Sequence, residues 1–286
     1  MSASKEGSAP GAEPAVVPLK VGKTSTQKFK EADEMYEGKL ESLSMKERAL
    51  KGLPYLANDE AMTQARMKAR WLLQEYNSSR SGPGHEGEVG ANDMSNEKRR
   101  GIISELFQVD EQKAKRIFVE PPFWCDFGSN IKFEGDFYCN FNTTILDCAE
   151  VKIGHGVLFG PNVHIYSATH SVSVTEREVG LERALPVSIG TNCWIGGNVT
   201  IIIVPSLNQT LPNFKSPFPP SPFPLSRSPF LRAGVSIGKG CTIGAGSVVT
   251  RDIPDWSVAV GNPARVVKTL AEEERGSDKP SGAVPF

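Results

Sequence analysis

Polar and apolar positions change their period twice along the chain. Residues 1 to about 30 hold Ser, Ala, Gly, Pro and Lys with little apolar content, which predicts a tail without a fixed fold. From Glu31 to Asn77 the period becomes helical. Between Asp59 and Tyr76, the residues Met62, Ala65, Ala69, Leu72 and Tyr76 recur at three- and four-residue steps, one apolar stripe on a helix. Arg66, Lys68 and Arg70 avoid most of that stripe and read mainly as a solvated face. Ser78 to Asn96 is polar and glycine-bearing, a loop. A short helix follows with Ile102, Ile103, Leu106 and Phe107 on one side.

After Pro121 the helical period vanishes and a six-residue period replaces it. Aliphatic or aromatic residues fall six apart at Ile153, Phe159 and Ile165, again at Ile189, Ile195 and Ile201, and again at Ile237, Ile243 and Val249. Glycine follows the leading residue in six of these units, and Val157, Val163, Cys193, Val199 and Cys241 sit four after a lead. Units of this kind predict a β-helix in which each is a short strand plus a turn. The lead points inward and stacks on its copy in the next coil, and glycine permits the turn.

One interruption breaks the register. Residues 203–232 contain eight prolines, four phenylalanines and neither acid nor glycine. Without them the chain reads Ile201-Ile202-Ala233-Gly234-Val235-Ser236-Ile237, one complete unit. Proline at this density cannot sustain a ladder, so the segment is expected to leave and re-enter the coil at one corner. A genuine loop and translated non-coding sequence, such as an unremoved intron, both account for it, and the second is preferred.

Composition narrows the classes. In 286 residues, 32 Lys and Arg against 33 Asp and Glu give a net charge of −1, no reason to expect nucleic acid or an anionic membrane as partner. The longest aliphatic run, Val199 to Val204, falls far short of the ~20 residues of a membrane span, and the N-terminus lacks an apolar targeting region, so a cytoplasmic protein is expected. Five cysteines, Cys125, Cys139, Cys148, Cys193 and Cys241, never form C-x-x-C and read as reduced, buried small hydrophobes.

The repeat resembles the hexapeptide-repeat acyltransferases. Three further segments sharpen the likeness to the maltose, galactoside and nodulation sugar O-acetyltransferases: Phe137-Tyr138-Cys139-Asn140-Phe141-Asn142, Ala168-Thr169-His170, and Gly261-Asn262-Pro263-Ala264-Arg265. The segments Val119-Glu120-Pro121-Pro122 and Asp126-Phe127-Gly128-Ser129-Asn130-Ile131 add to it. The helices before them resemble that family's cap through Gly52, Tyr55, Asp59, Arg70 and Tyr76-Asn77. The resemblance implies a mainly β protein, a left-handed parallel β-helix over 111–270, with a small α-helical cap over 31–110 and a polar tail over 271–286. It also implies a homotrimer with active sites between neighbouring β-helices.

Acetyl transfer from a thioester to an alcohol needs a base and donors for the oxyanion. The resemblance makes His170 the base and Asn140 the residue near the reacting centre. Asp126 and Asp147 match acceptor positions, Asp126 reading equally well as a cap of its own turn. Gly197, Ala245 and Thr250 would border the pantetheine arm of acetyl-CoA, and Arg251, Arg265 and Lys268 would face its phosphates. Ala57 and Cys148 stand where the galactoside branch carries acids, so a maltose-like or glucose-like acceptor fits better. No metal is needed. Three rivals stay open: a zinc lyase using His155, His164 and His170; the same reaction on a non-sugar hydroxyl; and a catalytically dead trimeric scaffold spoiled by the insert.

Overall fold

The computed structural model describes residues 25–79, 96–170, 174–178, 180–203 and 234–275. The expected tail before Ser25, the loop after Ser79, the Pro-rich segment from 204 to 233 and residues 276–286 lie outside them.

Coil after coil of short strands builds a three-sided prism. The first face holds Ile117–Val119, Phe137–Cys139, Val157–Phe159, Trp194–Ile195, Thr242–Ile243 and Ser257–Val260, closed by the antiparallel strand Arg265–Thr269. The second holds Phe123–Cys125, Thr143–Leu146, His164–Tyr166, Thr200–Ile202 and Val248–Val249. The third holds Ile131–Phe133, Val151–Ile153, Val187–Ile189 and Val235–Ile237. Strands within each face pair in parallel, apart from the closing one. The β-helix is left-handed, as in the hexapeptide-repeat folds it matches.

Leading residues register as their spacing requires. Ile153 pairs with Ile189 and Ile189 with Ile237; Phe159 with Ile195 and Ile195 with Ile243; Ile165 with Ile201 and Ile201 with Val249. All nine are buried. Each contributes about 1.5–3 kcal/mol through its apolar side chain, so the stack is the main source of stability.

Glycine's part in the turn differs from the expectation. None of the six glycines after a lead has positive φ. A Cβ on Gly154 or Gly190 would instead lie 2.5 Å from a backbone nitrogen of the next coil, so these positions are bare because the coils stack closely. The left-handed residue falls three after the lead, at Gly156, Asn162, Asn192, Asn198, Gly240 and Gly246. Asparagine serves there because its short amide tolerates that region better than other side chains do.

Helices cover the N-terminal end of the prism and its hairpin flank. They are α1 (Ser25–Met35), α2 (Met45–Leu50), α3 (Glu60–Ser78), α4 (Glu97–Phe107) and α5 (Glu111–Ala114). Helix α1 begins at Ser25, so residues 25–30 belong to a helix and not to the expected tail. Arg183 donates to both carboxylate oxygens of Asp33 (2.9 and 3.0 Å) and ties α1 down. Helix α3 buries Met62, Ala69, Leu73 and Tyr76 while Ala65 is exposed, a stripe rotated from the expected one because the first coil lies beside its Leu73 edge. The Tyr76 hydroxyl donates to Val119 O (2.6 Å), and the Asn77 amide both donates to and accepts from Phe123 (2.9 Å each). Ile102, Ile103, Leu106 and Phe107 of α4 join the prism core, Phe107 edge-on to Phe123.

Candidate active site

The corners decide where chemistry can gather. Between the second and third faces successive coils are joined by 126–130, by 147–150, by the long excursion 167–186 and then by the segment after Ile203. The Pro-rich segment therefore leaves from the corner that carries His170, one coil further on. Ile203 packs on Leu185, and Gly234 N–H donates to Pro186 O, so both ends of the segment return to one place.

The third excursion at this corner is a small antiparallel sheet. Ala168–His170 pairs with Leu181–Ala184, which pairs with Tyr55–Leu56 from the cap; α6 (Val174–Glu178) lies within the loop. His170 stands opposite Glu182, and Glu182 opposite Tyr55. Residues directly opposed project from one face of a sheet, so the three side chains form a row. Glu182 Oε1 lies 3.7 Å from His170 Nε2, and the Tyr55 hydroxyl donates to Glu182 Oε2 (2.9 Å). His170 is 67% exposed while the Glu182 side chain is 19% exposed. Tyr55 is fully buried, and burial, then the neighbouring Cys148 and Glu182, pushes its phenol well above the ordinary range.

Beside this row lie the two aspartates. Asp147 is fully buried, and its carboxylate accepts from the N–H groups of Asp126 (3.0 Å), Phe127 (2.9 Å) and Asn130 (3.3 Å). This corrects the expectation that Asp147 meets acceptor hydroxyls: it caps the turn of the preceding coil from inside. Desolvation raises its carboxyl to about 6, the Phe127 N–H opposing and the Asp126 charge adding to the rise. Asp126 is therefore not its own turn's cap. Its oxygens face the Cys148 thiol, which donates to Oδ2 (3.2 Å), and Arg66 Nε at 3.6 Å from Oδ1. Arg66 was read among the solvated cations, yet it is half-buried, lies over the Phe127 ring and donates to Ala57 O. The signal was its position between Met62 and Leu73 on the buried side of α3.

The remaining expected residues divide between two edges. Thr250 and Arg251 share the corner of Asp126 and His170. Asn140, Gly197 and Ala245 stack along the corner between the first and second faces, where Gly197 O accepts from Gly246 N–H (2.9 Å) and Arg265 follows. Lys268 is paired with Glu274 (2.6 Å). One chain thus keeps Asn140 and His170 on different edges. Outward side chains differ as well: the first face presents Tyr138, Leu158, Trp194 and Val258 with Thr242 among them, the second presents Trp124, Leu146, Tyr166 and Ile202 interleaved with Thr144, His164 and Thr200, and Lys132, Lys152, Ser188 and Ser236 point out from the third.

Of the other histidines, His155 is buried with Nδ1 accepting from Asp136 N–H (3.1 Å), and His164 stacks on Tyr166. Among the described residues no three of His, Cys, Asp and Glu gather as a metal-holding group. The five cysteines are free and buried. No helix among the described residues is long and apolar enough to cross a membrane.

Comparison with known proteins gives concordant matches. Residues 48–109 match the maltose acetyltransferase hexapeptide capping motif, and residues 186–205 and 228–251 match the hexapeptide repeat of succinyl-transferase. Galactoside O-acetyltransferase of Escherichia coli (strain K12) is 33% identical over 82% of this chain and 93% of its own. A maltose O-acetyltransferase from Clostridium difficile 630 is 35% identical, with a TM-score of 0.61, over 80% of this chain and 99% of that one. A hexapeptide-repeat acetyltransferase from Vibrio cholerae, solved with acetyl coenzyme A, is 27% identical with a TM-score of 0.56, over 80% of this chain and 100% of that one.

Proposed function

The chain belongs to the hexapeptide-repeat O-acetyltransferases of the maltose and galactoside type and is an acyltransferase, and from that membership we propose that it moves the acetyl group of acetyl-CoA to a hydroxyl of a maltose-like or glucose-like sugar. The observation that carries this reading is His170, an exposed imidazole presented on a sheet edge with a carboxylate behind it. His170 takes the proton of the acceptor hydroxyl as its oxygen attacks the thioester carbonyl. The tetrahedral oxyanion is steadied by N–H donors and the Asn140 amide. The C–S bond then breaks, and the imidazolium returns its proton to the thiolate of coenzyme A, leaving an acetyl ester and free thiol.

Asn140 reaches this reaction from a second copy. Two faces that present aromatic and aliphatic side chains, beside a third that presents only Lys and Ser, suit a closed trimer in which the first face of one prism packs on the second face of the next. That packing would bring the Asn140 edge of one copy to the His170 edge of another. Gly197, Ala245, Arg265 and Lys268 would then meet the donor from one side and Thr250 and Arg251 from the other, the cations serving its phosphates. Asp126 and Cys148 offer the acceptor a weaker set of charges than paired acids would, which favours a glucose-type ring over a galactoside.

The test is thiol release from acetyl-CoA by the full chain across a sugar panel, with His170→Ala beside it. Release that needs maltose or glucose and vanishes in the variant is expected. Equal release by the two proteins would overturn the assignment of the base, and none from a folded trimer would favour the scaffold, a reading that the attachment of the Pro-rich segment at the His170 corner keeps specific.

A further inference from the structure

Glu182 has two partners among the described residues, Tyr55 and His170. Its carboxylate is mostly shielded from water, and among the described residues no Lys or Arg is paired with it. The neighbouring Arg183 turns away to Asp33 and to Gly52 O. A shielded carboxylate without a cation is unfavourable unless a positive charge forms beside it, and the group facing it is an imidazole.

We propose that Glu182 is the positioning residue of His170, holding the ring by Nε2 so that Nδ1 faces the acceptor hydroxyl, and that Tyr55 fixes Glu182 in place from the cap. The proposal rests on His170 being the base. Which imidazole nitrogen carries the proton is set by the partner of the other. A carboxylate at Nε2 selects the tautomer with its proton there and leaves the Nδ1 lone pair to act. The 3.7 Å gap is longer than a hydrogen bond, as expected before substrate arrives, and it shortens when the ring becomes a cation. No proton passes to Glu182; its carboxylate steadies the imidazolium as it forms.

Register gives the row its rigidity. Tyr55, Glu182 and His170 are direct cross-strand neighbours, so none can shift along its strand without breaking the backbone pairing of the sheet. Burial keeps the Tyr55 phenol protonated at every working pH, so it always donates. Beyond Tyr55 lie Cys148, then Asp126 with Arg66 against it; Arg183 and Asp33 lie to the other side. The cap therefore reaches the base through one hydrogen bond, a role that covering the end of a prism does not require.

The experiment compares the wild-type chain with Glu182→Gln, Tyr55→Phe and His170→Ala, measuring kcat, both KM values and the pH dependence of kcat/KM. Glu182→Gln keeps the shape and the Tyr55 bond while removing the charge. It should lower kcat by about tenfold or more, leave both KM values within about twofold, and shift the acid limb of kcat/KM to lower pH. Tyr55→Phe should give a smaller loss of kcat in the same direction. A Glu182→Gln rate within twofold of wild type, with the acid limb unmoved and His170→Ala inactive, overturns this proposal alone. If His170→Ala is as active as wild type, the base assignment itself has failed. Should Glu182→Gln not fold, Tyr55→Phe decides, because a purely structural tyrosine would change stability and not kcat at fixed KM.

Discussion

Replacing Asp147 by Asn tests the corner that supports the site. In the fold this carboxylate is enclosed and accepts three backbone N–H bonds, and its proton is held up to about 6 against an ordinary 3.8. A rise of that size corresponds to about 3 kcal/mol at 1.36 kcal/mol per pH unit. Because the folded value is the higher one, the folded chain binds the proton more tightly. The stability that the neutral carboxyl contributes is fully present below pH about 4 and is lost as pH rises through about 6. Asparagine does not titrate, so its penalty for presenting an NH₂ among three N–H donors is independent of pH. The difference in unfolding free energy, wild type minus variant, should therefore fall by about 2 kcal/mol or slightly more from pH 4 to pH 7. Urea unfolding followed by tryptophan fluorescence at half-unit pH steps measures it, and the acceptor KM of the variant is read alongside. A difference that stays flat or grows with pH would refute the burial argument. A large rise in acceptor KM in a variant of unchanged stability would restore Asp147 to the substrate.

Two further perturbations probe the coil itself. Gly190→Ala puts a Cβ 2.5 Å from the Lys239 nitrogen and should cost about 3 kcal/mol in denaturant unfolding, whereas Asn192→Gly, at φ 57°, should change stability by only a few tenths and Asn192→Ala should lower it by about 1–2 kcal/mol. Excising 203–232 joins Ile202 to Ala233 within one repeat unit; the shortened chain should keep its β-sheet circular dichroism and oligomeric size, and loss of either would mean that the segment supports the fold.

Much of this protein is legible in its sequence because a β-helix is quasi-periodic. Each coil contacts mainly its neighbours, so a spacing of six translates directly into which residues stack, and Ile153, Ile189 and Ile237 meet as their positions require. Even the two long excursions, 167–186 and the segment after Ile203, are marked as breaks in that period. The purpose of the small residues was less legible. Spacing locates Gly154 and Asn192 alike, yet only the three-dimensional stack separates clearance between coils from a left-handed turn.

The site shows the division most sharply. Local pattern and family resemblance single out His170, because a histidine at the edge of a broken repeat is visible in one dimension. Tyr55 is marked only as part of the cap resemblance and Glu182 not at all: 127 residues separate them, and they meet only because a strand of the cap adds to a hairpin that leaves the third coil. Asp126 and Asp147 look alike in sequence and part in structure, one facing Arg66 and Cys148, the other sealed under three N–H groups. Sequence by itself determined the coil and its stacking partners, since those follow from repetition. Tertiary structure alone decided which edge each residue occupies and which carboxylate stays open to chemistry, since burial and pairing across distant segments have no period to read.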